Sequence, residues 1–169
     1  MELAAVSCET HTSPAPHRCG VLGLGMHTDA QPGALQALWQ QAQALLQQEC
    51  SAPQAVCAVA VLDTKAAHPA LAAWLADVAP SAALVRVPAQ HLPGQPVVTQ
   101  SPRMLARYGT GSVSEAAALA AAGPGAALRL PRLVAGDGSA TLALALRQAG
   151  PLNCCLAHAG GASNQGATA

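Results

Sequence analysis

The chain has 169 residues, 51% of them apolar, with eight Lys/Arg against eight Asp/Glu and only Trp39, Trp74 and Tyr108 as aromatics. That length suits one domain with a substantial core. Charge balance leaves no basic field for nucleic acid or an anionic membrane, so few aromatics argue against base stacking, and no apolar run approaches the ~20 residues of a membrane span.

Residues 1–17, punctuated by Pro14 and Pro16, read as a flexible N-terminal arm. Met1-Glu2-Leu3 lacks the basic start and apolar core of a secretion signal, so a cytoplasmic location is expected. Cys8, Cys19, Cys50, Cys57, Cys154 and Cys155 are scattered with no C-x-x-C pair, which favours free thiols; no metal site is expected.

Cys19 to Gly25 reads as a short buried strand running into a glycine turn. Gly23 and Gly25 begin a G-x-G-x-x-G pattern, but Thr28 stands in the third glycine's place and no ribose-binding acid follows. No dinucleotide cofactor is expected, although Gly23 and Gly25 can still bring backbone close to a ligand. From Ala34 to Glu49, Leu35, Leu38, Trp39, Ala42, Leu45 and Leu46 form one helical stripe opposite a glutamine-rich face.

The continuously apolar run Val56–Leu62 suits a central strand covered on both faces. Asp63-Thr64-Lys65 follows it, and Pro69 opens a helix that buries Leu71, Trp74, Leu75 and Val78. Asp63 and Lys65 therefore fall at a strand's carboxyl end, where open α/β sheets bind ligands. A surface turn with a solvated lysine has the same signature.

Ala83–Val87 is a third strand, and Ser101-Pro102 opens a short helix closed by Gly109. Arg103 and Arg107, four residues apart, share a face of that helix. The next stretch, Gly109-Thr110-Gly111-Ser112-Val113-Ser114-Glu115, leads into an alanine-rich helix. Ser112 and Glu115 have capping-box spacing, in which Glu115 bonds back to the Ser112 N–H and glutamine would replace it almost silently. The same helix start, flanked by Thr110 and Gly111, offers N–H groups and hydroxyls to a carboxylate or phosphate.

Leu128–Val134 and Ala140–Leu146 read as strands joined by Gly136-Asp137-Gly138, with Pro131 suited to an edge. Residues 151–169 read as a disordered, low-complexity tail. The alternation predicts one α/β domain over residues 18–150, a three-layer α/β/α sandwich with a mixed sheet of about five strands.

Four blocks, in order, carry a family resemblance: Val21-Leu22-Gly23-Leu24-Gly25, Asp63 to Leu71, Val113 to Leu119, and Ala140 to Ala145. Together they resemble the CobE family and the C-terminal domain of CbiG, proteins of cobalamin biosynthesis. The resemblance implies a domain that binds or handles a carboxylate-rich precorrin or corrinoid intermediate, with other enzymes of that pathway as further partners. Where the family often continues its first glycine turn with Cys and basic residues, this chain has Met26 and His27. A corrin precursor needs several donors, for which Gly23, Gly25, Asp63, Lys65, Thr110, Gly111, Ser112 and Glu115 are the candidates. Because the chain is neutral overall, affinity must come from a local cluster of charge. The alternatives are a small hydrolase, with Glu115 or Asp63 as base and Lys65 stabilising negative charge, and a structural partner of another corrin-pathway enzyme.

Overall fold

A computed structural model describes residues 19–48 and 56–147. The expectations for the arm, the tail, Cys8, Cys50, Cys154 and Cys155 fall outside these residues. The elements are β1 (Cys19–Met26), α1 (Pro32–Gln48), β2 (Val56–Leu62), α2 (Pro69–Val78), β3 (Ala83–Val87), α3 (Pro102–Tyr108), α4 (Val113–Ala122), β4 (Ala127–Val134) and β5 (Ala140–Arg147). They form a five-stranded mixed sheet in the order β3-β2-β1-β5-β4. β1, β2 and β3 run parallel, while β5 is antiparallel to both its neighbours. The predicted architecture is the one observed.

Side chains alternate across the sheet, and its two faces differ in size. On one face Leu22, Leu24, Val59, Val61, Leu142 and Leu144 pack under α1 and α2, which contribute Leu35, Leu38, Leu71 and Trp74. The other face is lined by small residues, among them Ala58, Ala60 and Ala145, and α4 lies on it through Ala116, Ala117, Ala118 and Ala122. Small side chains on both surfaces let the helix backbone approach the strands closely. At Gly23 a Cβ would collide with the Ser114 carbonyl and lie 2.8 Å from the Ala118 nitrogen. Gly23 is thus a packing glycine beneath α4, which also explains why α4 is built of alanine.

β4 and β5 each extend one residue beyond the sequence reading, to Ala127 and Arg147, and two other boundaries differ for clear reasons. α1 begins at Pro32, whose fixed φ suits a first helical turn. β1 runs through Gly25 to Met26, because Gly25 pairs with Thr141 and Met26 with Ala140. The expected glycine turn is therefore strand, and the chain leaves the sheet at His27.

From β1 the chain steps through β2 to β3 with α1 and α2 on one face. It then returns over the opposite face by α4 to β4, beyond β5. This reversal creates a topological switch point at the carboxyl end of β1, where open α/β sheets hold their ligands.

Candidate functional site

A cleft of about 530 Å³ opens at that switch point. Its floor is the end of β1, Leu24 to Met26, continuing through His27, Thr28 and Asp29. Leu62 and Lys65 bound it at the end of β2, Arg132 and Val134 at the end of β4, and Ser139 to Thr141 at the start of β5. α3 forms the remaining wall with Arg103, Met104, Arg107 and Tyr108, next to Val113 at the start of α4. This volume falls in the range of small-molecule sites, about 300–1,000 Å³.

The charge in the cleft is lopsided. Lys65, Arg103, Arg107 and Arg132 line it against a single carboxylate, Asp29, so half of the chain's eight basic residues gather here. None of the four cations is paired with a described carboxylate. Arg107 instead lies over the Tyr108 ring, 5.2 Å from its centroid, a cation–π contact that holds the guanidinium beside an aromatic wall. The same cleft is also lined by the apolar residues Leu24, Met26, Leu62, Met104, Val113 and Val134. The site therefore combines cationic and apolar lining, and the neutral chain holds the local positive cluster that an anionic ligand requires.

The sequence-derived candidates divide into three groups. Gly25 and Lys65 line the cleft. Asp63 lies outside the lining, exposed, with its Oδ1 4.0 Å from Nη1 of the equally exposed Arg86 on β3. Gly23, Thr110, Gly111, Ser112 and Glu115 are buried. A Cβ on Gly111 would collide with the Thr99 carbonyl, so that glycine permits close chain packing. Ser112 caps α4 by accepting from the Glu115 N–H at 3.4 Å.

Glu115 does not return that bond to Ser112, as a capping box would require. Its side chain crosses to other segments: Oε2 accepts from the Val98 N–H at 2.7 Å and the Thr99 N–H at 3.0 Å. Oε1 accepts from the Thr99 hydroxyl and from the Arg132 N–H at 2.9 Å. Burial pushes the carboxyl pKa up, but the Thr99 hydroxyl and then the Arg132, Thr99 and Val98 N–H groups outweigh it and hold the carboxyl below its ordinary range. The fully buried carboxylate is a structural anchor between the segment before α3, the start of α4 and β4.

Two further contacts shape the rim. His68 Nδ1 accepts from the Ala70 N–H at 3.2 Å and so caps α2, which leaves Nε2–H to donate to the Thr28 carbonyl at 3.1 Å. That side chain ties the loop after β1 to the turn after β2. Across the hairpin, the exposed Asp137 accepts from the Ser139 N–H and hydroxyl, and these bonds hold its carboxyl below the usual range.

Sequence reasoning placed Arg103 and Arg107 on one face of their helix and gave no role to Arg132 or His27; all four line the cleft. Arg132 follows Pro131 at a register irregularity between Leu130 and Leu133, so its N–H is available to Glu115. A proline followed by a basic residue near the end of a strand was the available signal. Among the described residues, no group of three or more His, Cys, Asp or Glu side chains could hold a metal ion.

Residues 20–145 match the family model described as cobalamin synthesis G C-terminus. The chain belongs to this family. The crystal structure of cobalamin biosynthesis protein chiG from Agrobacterium tumefaciens is 30% identical, with a TM-score of 0.54, covering 77% of this chain and 99% of that one. The crystal structure of CobE, a protein from the cobalamin (vitamin B12) biosynthetic pathway, is 24% identical with a TM-score of 0.62, covering 82% and 96%. At that identity the CobE likeness is one of fold. Comparison with curated proteins finds no significant match. This member of the family is accordingly a cobalamin-biosynthesis protein, and no helix among its described residues is long and apolar enough to cross a membrane.

Proposed function

We propose that the cleft binds a carboxylate-rich corrin intermediate of the pathway, acting in the cytoplasm and passing its ligand to or from other enzymes of cobalamin biosynthesis. The observation that carries this reading is the gathering, in one cleft at the switch point, of four cations without described carboxylate partners together with apolar side chains. A corrin precursor has the matching character, an apolar macrocycle edged with acetate and propionate groups. Arg103, Arg107 and Arg132 can each meet a carboxylate with two parallel N–H donors, and Lys65 supplies a compact charge. Gly25 keeps the floor free of a side chain, since a Cβ there would lie 2.5 Å from Thr141 Oγ1.

The hydrolase alternative draws no support from the carboxylates first considered as bases. Glu115 is buried and fully engaged by four donors, and Asp63 does not line the cleft. The test is an absorbance titration of the full chain with cobyrinic acid, whose side chains are free acids, alongside its amidated counterpart. The reading expects saturable binding of the acid, weakened by salt, and at least tenfold weaker binding of the amide. Equal binding of the two would remove the role assigned to the cations.

A further inference from the structure

α3 differs from the other three α-helices among the described residues, each of which buries side chains. None of its seven residues is buried, and Pro102, Arg103, Leu105, Ala106 and Arg107 are exposed. It is held at its ends. The Ser101 N–H donates to the Gly111 carbonyl at 3.0 Å, and the helix closes on the left-handed Gly109, whose N–H donates to Leu105. Just upstream, Glu115 fixes the Val98 and Thr99 N–H groups. The Ser101–Gly111 bond ties the start of α3 to the α4 side of the domain, and Tyr108 in its last turn packs against the core cluster there, while the rest of the helix carries two of the four cleft cations along the cavity with little buried apolar surface.

We propose that α3 is an electrostatic clasp, loosely held in the free protein and drawn down when an anionic ligand fills the cleft. This rests on the reading of the cleft as a carboxylate site. Arg103 and Arg107 stand one helical turn apart, where like charges weaken a helix, and they share the cleft with Lys65 and Arg132. Without ligand these charges repel one another and oppose settling of the helix. Ligand carboxylates supply the missing counter-charge, and Met104 and Tyr108, both half-buried on the cleft side, are placed to close over an apolar ring. A segment with little buried apolar surface belongs to the least stable part of a fold, from which lids are drawn.

Hydrogen exchange on the full chain, alone and saturated with cobyrinic acid, tests this. The amides of residues 105–109, which carry the helical hydrogen bonds, should exchange quickly in the free protein and at least tenfold more slowly in the complex, with β1 and β2 unchanged. The double substitution Arg103→Gln and Arg107→Gln keeps helix propensity nearly constant while removing the repulsion. It should slow exchange of the free helix by up to about twofold, the size expected for one like-charged pair, and abolish the ligand-induced protection. Binding that leaves α3 exchange unchanged overturns the clasp and spares the binding reading. Absence of binding by the wild-type chain overturns both. Ligand-induced protection that persists in the double variant also refutes the electrostatic mechanism.

Discussion

Glu115 and Arg132 are joined by one bond, from the Arg132 N–H to Glu115 Oε1 at 2.9 Å, which links a fully buried carboxylate to the backbone of a residue lining the cleft. The carboxylate also holds Val98 and Thr99, so a single side chain sets the positions of β4 and of the segment that leads into α3. Glu115 thereby bears on the cleft through others: it does not line it, but Arg132 lies on a segment it fixes and Arg103 and Arg107 on the helix that follows another.

Replacing Glu115 by glutamine should destabilise the fold by about 3 kcal/mol, within the range for breaking a buried charged network. Either orientation of the amide turns its NH₂ group towards backbone donors, and rotation of the Thr99 hydroxyl relieves only part of that conflict. The capping-box expectation of a silent glutamine therefore gives way to a large effect, because the side chain accepts from distant backbone rather than from Ser112. Urea unfolding of the two proteins at neutral pH measures it. A difference below about 1 kcal/mol, the size of a lost cap interaction, would show that the network contributes little.

Acid should erase that difference. The carboxyl is held below its ordinary range in the folded protein. Its stabilising contribution is thus fully present above the unfolded value of about 4.3, and is lost as pH falls through the folded value. Unfolding midpoints of wild type and Glu115→Gln should converge as the pH is lowered below about 4. A gap that stays constant down to pH 3 would mean that the carboxylate charge is not what the four donors hold.

Most of the architecture was legible because local patterns and burial agree. The run Val56–Leu62 and the stripe of α1 each have a single arrangement that buries their apolar residues, and both appear as expected. The site was harder to read because its candidates differ in depth rather than in chemistry. Thr110 and Ser112 carry the hydroxyls that an anion site would use, yet both are buried. Glu115 misled for a related reason: the S-x-x-E spacing is local, whereas its decisive partners are 16 and 17 residues away on either side. Lys65 was recoverable because the carboxyl end of a central strand is a position that strand order alone defines.

Gly23→Ala should be among the most damaging single substitutions in the chain. Its added methyl would press against the α4 backbone at Ser114 and Ala118, which cannot move aside as a flexible side chain does. Overpacking typically costs about 1–3 kcal/mol, and displacement of Ser114 would also disturb the neighbouring Glu115 network. The expected result is a melting temperature lowered by several degrees, or insoluble protein. A variant as stable as wild type would mean that α4 can lift away from β1 at little cost.

Arg132 allows its two roles to be separated, because its backbone serves the fold and its guanidinium serves the cleft. Arg132→Gln keeps the N–H that Glu115 accepts, so stability should change by no more than about 0.5 kcal/mol, as for an ordinary surface substitution. Binding of cobyrinic acid should weaken by about tenfold or more, corresponding to roughly 1.5–3 kcal/mol for a hydrogen bond to a charged group. Lys65→Ala should behave in the same way, since the lysine follows β2 and lines the cleft without a described carboxylate partner. The salt dependence of affinity should be shallower in each variant, because one fewer cation contributes to the attraction. Calorimetric affinities at two salt concentrations, measured beside urea unfolding, decide the point. Weakened binding with intact stability and a shallower salt response assigns both side chains to the ligand; a loss of stability equal to the loss of affinity would make them parts of the scaffold.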